Sequence, residues 1–533
     1  MKIKYTVFVA MFVLMSIIFA GCGDKKTVGS GEGKGGVLVY GRSGDSVNLD
    51  APVTNDGESN LVIKQILEGL CDYDSDFRVI PVLATEWNAS EDGKVWTIKL
   101  RQGVKFHDGT DFNAAAVVYN FERMWDKAHP QHKNTFAPFQ SAFGYKGDSV
   151  IEEIKALDNY TVQFTLNKSQ ATFMANLAMV SFSLNSPTAI EKYGDQIGQH
   201  PVGTGPFVFK EWKRNDSITL EKNPNYWDKN APKLDKIIFR VIPDPTARLT
   251  ALKAGEIDFI DSITPLEVEG AKQNKNLKVY TRKAFNTAYL AMNNDKAPFN
   301  DLRVRQAVSL AINIQGMTDS FLKGSEPAKG ILPPSLLGYN NELPEHEYNP
   351  GKARELLTQA GYPNGFDIEL FELPIVRGYM PNPKKAAEAL QADLAKVGIR
   401  VKLVTFEWAT YLQKIKNGEH TLAMYGWGSD NGDPDNFLYV LLDKSNAVPP
   451  SAQNISMYKN EQVHELLLKG QITVDPAKRV QFYKDAQTLI SRDVPMIPLI
   501  HASVATATGK NVMGYTPGAK ASESLKDIWI EKQ

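Results

Sequence analysis

An α/β fold is predicted by three observations. Strand-like and helix-like segments alternate along the chain, several helices begin at a capping residue followed by proline, and an acidic turn directly follows a strand-like run. Such alternation argues for α/β lobes and against an all-helical bundle or a β-sandwich. In chain order, Val37 to Tyr40 and Val95 to Leu100 read as strands, and Asn113 caps a helix running towards Trp125. Ile237 to Ile242 reads as a strand, Pro245 to Ala254 as a helix stopped at Gly255, and Ile257 to Ile260 as a further strand. Asn349-Pro350, Asn382-Pro383 and Asp475-Pro476 each set a capping side chain before proline at the first helical position. After Pro383, Ala387, Leu390, Leu394 and Val397 recur at helical spacing, Gly398 supplies the stop, and Ile399 to Thr405 alternates as a strand. Thr421 to Tyr425 is the strand-like run that leads into the acidic turn.

Ahead of these elements, Lys2 and Lys4 precede an apolar run, Val7 to Ala20, that is short for a membrane span and ends in small residues. This reads as a secretory signal peptide over residues 1–21. Its end, FAGC, resembles a lipobox, with Phe19 where that motif usually has Leu. The resemblance implies a lipid on Cys22; an ordinary signal with an incidental cysteine is the alternative. The glycine-rich stretch over residues 22–35 reads as a flexible tether between lipid and folded body.

The mature chain is long enough for two or three domains, and 43% hydrophobic residues suffice for sizeable cores. A formal net charge of -1 gives no reason to invoke nucleic acid. With Cys22 lipidated only Cys71 remains, so an internal disulfide is not expected and stability must come from packing. Phosphate-loop, HExxH and GxSxG patterns are missing from the sequence, and its eight histidines are scattered. Neither catalysis, nor a metal, nor a cofactor is therefore expected.

The stretch Met424 to Phe437, MYGWGSDNGDPDNF, gathers Asp430, Asp433 and Asp435 beside Trp427. Carboxylates at the end of a buried strand often face a crevice, which makes the turn a candidate for holding a cationic group. Its plainer reading is strand-to-helix punctuation by turn-forming residues. A calcium loop fails, because Leu441 occupies the position that needs a bidentate Glu.

Longer blocks carry a family resemblance. Pro81 to Asp126, Pro201 to Trp212 (PVGTGPFVFKEW) and Leu302 to Asn313 (LRVRQAVSLAIN) resemble, in order, segments of the family 5 extracellular solute-binding proteins of peptide and nickel ABC importers. The resemblance implies a two-lobed, periplasmic-binding-protein-like α/β fold with an extra subdomain in the larger lobe. The larger lobe is expected over residues 36–283, with the subdomain over roughly 61–195, the smaller lobe over 284–493, and a return to the larger lobe over 494–533. On this scaffold His107-Asp108 is expected to be structural.

Leu373 to His420, running into the acidic turn, is similar to the dipeptide-binding subgroup. By that resemblance Arg377 meets the ligand carboxylate, Asp430 its ammonium group, and Trp408 lines the pocket. Asp433 and Asp435 are left with turn and helix-start roles. A guanidinium can grip a carboxylate through two parallel hydrogen bonds, and the ends of an extended dipeptide lie at most ~7 Å apart, so the pair would measure ligand length. Tyr379 and Trp427 offer further flat walls. Gly57 and Glu58, in TNDGES, lie where relatives place a peptide-contacting loop, although this sequence departs from the dipeptide binders' pattern there. The implied partners are a short peptide, a membrane permease with its ATPases and, through the lipid, the membrane; a monomer is expected. A longer peptide, glutathione or a nickel chelate stands as the alternative solute.

Overall fold

The computed structural model describes residues 35–54, 56–282, 284–450, 452–518 and 523–531. The expected signal peptide, Cys22 and, apart from Gly35, the tether lie outside these residues. Two lobes are built around two mixed sheets. The first runs, edge to edge, Leu277–Thr281, Ala505–Gly509, Phe259–Ile263, Val37–Arg42, Lys236–Val241, Ser217–Lys222 and Phe207–Lys213. Val37–Arg42 is parallel to both Lys236–Val241 and Phe259–Ile263, and the last two are joined by the helix Pro245–Ala254. That helix is bounded as its sequence dictates: the Asp244 carboxylate accepts from the Ala247 amide at 2.7 Å, and Gly255 turns left-handed at φ 76°.

The second sheet runs Ser325–Pro327, Met496–Ala502, Asn286–Met292, Leu422–Gly428, Asp367–Phe371 and Arg400–Val404. Between its two last strands in this order the chain forms the helix Pro383–Ala395, whose Ala387, Leu390 and Leu394 are fully buried. The helical spacing read from the sequence is thus the face packed on the sheet. Asn382 departs from expectation, because its side chain makes no capping hydrogen bond and Pro383 alone starts the helix. Asn349 and Asp475 do cap, accepting from the amides of Lys352 (3.0 Å) and of Ala477 (2.9 Å).

A separate four-stranded antiparallel sheet, Ala84–Ala89, Val95–Leu100, Thr161–Leu166 and Ile151–Asp158, forms the extra subdomain. Its core runs from Leu70 to Leu184 and is rich in phenylalanine, with Phe121, Phe139, Phe143, Phe164 and Phe182 in ring contact. The helix Gly57–Ile66 instead packs with the first sheet through Leu61, Val62, Ile63 and Ile66, so the subdomain core begins nearer residue 70 than 61. The expected scaffold segments behave as such: His107 Nε2 meets the Gly205 carbonyl at 2.9 Å, and Asp108 accepts from Ser186. A Cβ at Gly203 would lie 2.2 Å from the Ile66 carbonyl oxygen, which explains glycine in that turn.

The chain passes between the two large sheets twice, between Thr281 and Asn286 and between Ala502 and Ala505. The return to the first lobe therefore comes after residue 502, not at 494, because Met496–Ala502 pairs with Asn286–Met292 in the second sheet. Away from these crossings the lobes also touch. Phe77, at φ 60° and 6% exposed, packs edge-on against Phe285 at 4.6 Å and joins the core of the smaller lobe. A Cβ on Gly432 would fall 2.5 Å from that of Phe77. Asn431 donates to the Asn176 side chain at 2.8 Å, and the Ala171 amide to the Gln471 carbonyl at 2.9 Å.

Candidate functional site

Between the lobes lies a cleft of about 2100 Å³, and all seven residues expected to meet ligand line it: Gly57, Glu58, Arg377, Tyr379, Trp408, Trp427 and Asp430. The smaller lobe supplies five of them. Its strand Leu422–Gly428 carries Tyr425 and Trp427 to the cleft and then turns through Ser429 to Pro434 into the helix Asp435–Leu442. Asp430 is exposed on this turn. Its amide and the Trp427 indole both donate to Asn436 Oδ1 at 3.0 Å, so a single side chain ties the acid to the aromatic wall. The other two aspartates diverge. Asp433 does hold the turn, accepting from the Asp435 amide at 2.9 Å, but it is also buried in a bidentate pair with Arg479 at 2.6 and 2.7 Å. Asp435 opens the helix. Burial, reinforced by the charge of Asp433, raises its carboxyl to about 7 against the pull of Arg479, Gln471 and Tyr483.

Arg377 sits at the start of a tight backbone turn closed by reciprocal hydrogen bonds with Met380, at 3.2 and 2.9 Å. Its guanidinium carbon lies 4.4 Å from the centre of the Trp408 ring, within cation–π reach. Trp408 opens the helix Trp408–Lys416 and stacks on Tyr411 at 5.8 Å and 13°. Tyr379 is held against the strand at Gly426, where a Cβ would come within 2.2 Å of its ring. Burial, with Tyr425 next to it, raises the Tyr379 hydroxyl, so it remains a protonated donor beside Arg377. Flat rings thus hold the guanidinium in place at the wall of the cleft.

The larger lobe supplies Gly57 and Glu58, in the first turn of the helix Gly57–Ile66 that Asp56 caps by accepting from the Ser59 amide at 2.8 Å. Burial, with the charge of Asp261 added, raises Glu58 to about 7, opposed by Ser43 and Arg42. Asp261, Tyr425, Asn436 and the Arg282–Glu523 pair also line the cleft and were not singled out from the sequence. Asp261 had one available signal, an acid directly after the strand-like run Ile257 to Ile260, and Asn436 none. No group of three or more His, Cys, Asp or Glu side chains placed to hold a metal occurs among the described residues.

The described family of bacterial extracellular solute-binding proteins, family 5, has a model of its middle region that matches residues 78–448, more than half of the chain. The chain belongs to that family. Its fold, two α/β lobes about a cleft, is the one found in solved relatives. An ABC transporter-associated periplasmic binding protein from Helicobacter pylori, solved in complex with the peptide STSA, superposes with a TM-score of 0.80 at 35% identity, covering 93% of this chain and 98% of that one. The dipeptide-binding protein of Escherichia coli K12 is 35% identical over 465 residues, 85% of this chain and 86% of the relative. Heme-binding protein A of Haemophilus influenzae is also 35% identical, over 466 residues, 85% of this chain and 84% of the relative. The family is one of solute-binding proteins, not of enzymes.

Proposed function

We propose that this protein captures short peptides, dipeptides above all, in the cleft between its lobes and delivers them to the permease of an ABC importer, while a lipid on Cys22 anchors it as a monomer to the outer face of the cell membrane. One observation carries the reading: a guanidinium braced on Trp408 and a carboxylate on the turn at Asp430 line the same cleft. A zwitterionic peptide offers each its opposite charge, the carboxylate to Arg377 and the α-ammonium to Asp430. Tyr379, Trp408 and Trp427 enclose the chain between them without selecting one side chain. Ligand binds first to the smaller lobe, which holds both charges, and closure about the two crossings buries it against Gly57 and Glu58. The names of the peptide-binding relatives support the same solute class.

End-blocked peptides test this reading. By titration calorimetry on protein lacking the signal peptide, N-acetylated and C-amidated dipeptides bind far more weakly than the free dipeptide; tight binding of either shows that the ends are not recognised. A second reading is a larger solute on the same scaffold, favoured by the cleft volume of about 2100 Å³, which exceeds the 300–1,000 Å³ common for small-ligand sites. Native mass spectrometry of the ligand that co-purifies separates the two.

A further inference from the structure

Cys71–Tyr73 and Val79–Pro81 pair as a two-stranded hairpin whose flanks, Cys71 and Val79, pack on the subdomain core. Its tip is a tight turn in which the Phe77 amide donates to the Asp74 carbonyl at 3.1 Å. Phe77 ends this turn in the left-handed region, at φ 60°, where hairpins of this kind usually place glycine. A bulky L residue adopts that conformation at a cost, so the ring has to be explained by what it touches. It leaves the subdomain and enters the smaller lobe, where it is buried and meets Phe285 edge-on.

The surface it reaches is the turn that carries Asp430. Gly432 has φ 70° and sits so close that a Cβ there would fall 2.5 Å from both Cβ and Cδ1 of Phe77. One residue earlier, Asn431 works in two directions. Its Oδ1 accepts from the Asp433 amide at 3.0 Å within the turn, while its Nδ2 donates to Asn176 Oδ1 of the subdomain at 2.8 Å. Both asparagines are buried, so water does not readily replace the bond.

From its own lobe the turn is tied at its two ends, by Asn436 to the Asp430 amide at 3.0 Å and by Arg479 to the Asp433 carboxylate. Its crown, Asn431 and Gly432, rests on the other lobe. Asp430 directly precedes that crown, and the rigid peptide unit between consecutive residues passes any shift of Asn431 on to it. Phe77, Asn176, Asn431 and Asp430 all line the cleft, so this contact belongs to the ligand's own surroundings.

We infer that Phe77 and Asn176 are positioning residues for Asp430: as the lobes close, the hairpin tip and the subdomain seat the crown of the turn and set the carboxylate where it meets the α-ammonium of a captured peptide. The inference rests on the short-peptide reading and gives the extra subdomain a part in recognition. Arg377 stands on a separate turn and is braced by Trp408 of its own lobe. The two ends of a peptide are therefore read differently, the carboxylate by a group already in place and the ammonium by one that closure sets.

Calorimetry measures this as two ratios, the affinity for a free dipeptide over that for its N-acetyl form, and over that for its C-amide. In Phe77→Gly, which also relieves the left-handed strain of the hairpin, the first ratio falls about tenfold and the second changes by less than about twofold. Phe77→Leu restores apolar bulk and recovers most of the first ratio. Asn176→Ala lowers that ratio about threefold without touching the hairpin, so a Phe77 variant that fails to fold leaves the test decisive. A first ratio unchanged in folded Phe77→Gly or in Asn176→Ala overturns the inference. Equal loss of affinity for all three ligands also overturns it, by making the contacts a general aid to closure. Collapse of both ratios together does so too, because the damage is then to the whole site. If the unmodified protein binds free and N-acetylated dipeptide equally, the short-peptide reading falls before any variant is compared.

Discussion

Replacing Arg377 by alanine separates what the residue does for the free protein from what it does for a ligand. In the free protein its guanidinium rests on the Trp408 ring at 4.4 Å, beside the Tyr379 hydroxyl, and its charge is half-exposed. Losing that contact costs about 0.5–1 kcal/mol, so Arg377→Ala folds with little change in melting temperature. In the complex the same substitution strands a ligand carboxylate inside a closed cleft, at a cost of about 2–5 kcal/mol. At 1.4 kcal/mol per tenfold this is roughly a 30- to 5,000-fold loss of affinity. Calorimetry on a dipeptide and its C-amide makes the assignment specific. Unmodified protein prefers the free acid strongly, and Arg377→Ala loses the preference as well as the affinity. Arg377→Lys falls between them, since it keeps a charge but lacks the planar fork that both stacks and binds bidentately. An alanine variant that still distinguishes acid from amide would refute the role given to Arg377.

Two further outcomes concern the acidic turn. Asp433→Ala leaves Arg479 buried without its bidentate partner and destabilises the protein by about 3–5 kcal/mol in urea unfolding; a loss below about 1 kcal/mol would contradict the pairing. Asp435 has a folded-state pKa raised from 3.8 to about 7, so the folded protein binds the extra proton between those values and stability falls as pH rises through that window. Asp435→Asn removes this slope, raising the melting temperature at pH 8 while leaving it nearly unchanged at pH 3.5; an unaltered pH profile would exclude Asp435 as its source.

Much of the fold was legible because its signals are local. Asp244-Pro245 with Gly255, and Asn113 before Ala114–Trp125, are start and stop chemistry that any environment respects. Asn382 shows the limit of such signals, since proline fixes the first turn whether or not the side chain caps. The boundary after residue 493 was misplaced for another reason. The apolar run Met496–Ala502 suits either sheet, and only its pairing with Asn286–Met292 decides between them. In the site, Arg377, Trp408 and Asp430 were carried by resemblance to a family, not by spacing or composition. Arg479 lies 46 residues from Asp433, so their pairing leaves no trace in the local sequence.

The double passage between the sheets bears on how the protein is made. Ala505–Gly509 is not an edge strand: it lies between Leu277–Thr281 and Phe259–Ile263, just as Met496–Ala502 lies between Ser325–Pro327 and Asn286–Met292. The second sheet lacks an interior strand until the ribosome has polymerised residue 502, and the first until residue 509, however early the other strands emerge. Pairings over such sequence separations form slowly. A nascent chain of this topology waits, incompletely folded, through most of its synthesis, and a stop codon placed before residue 496 deprives both lobes of an interior strand at once.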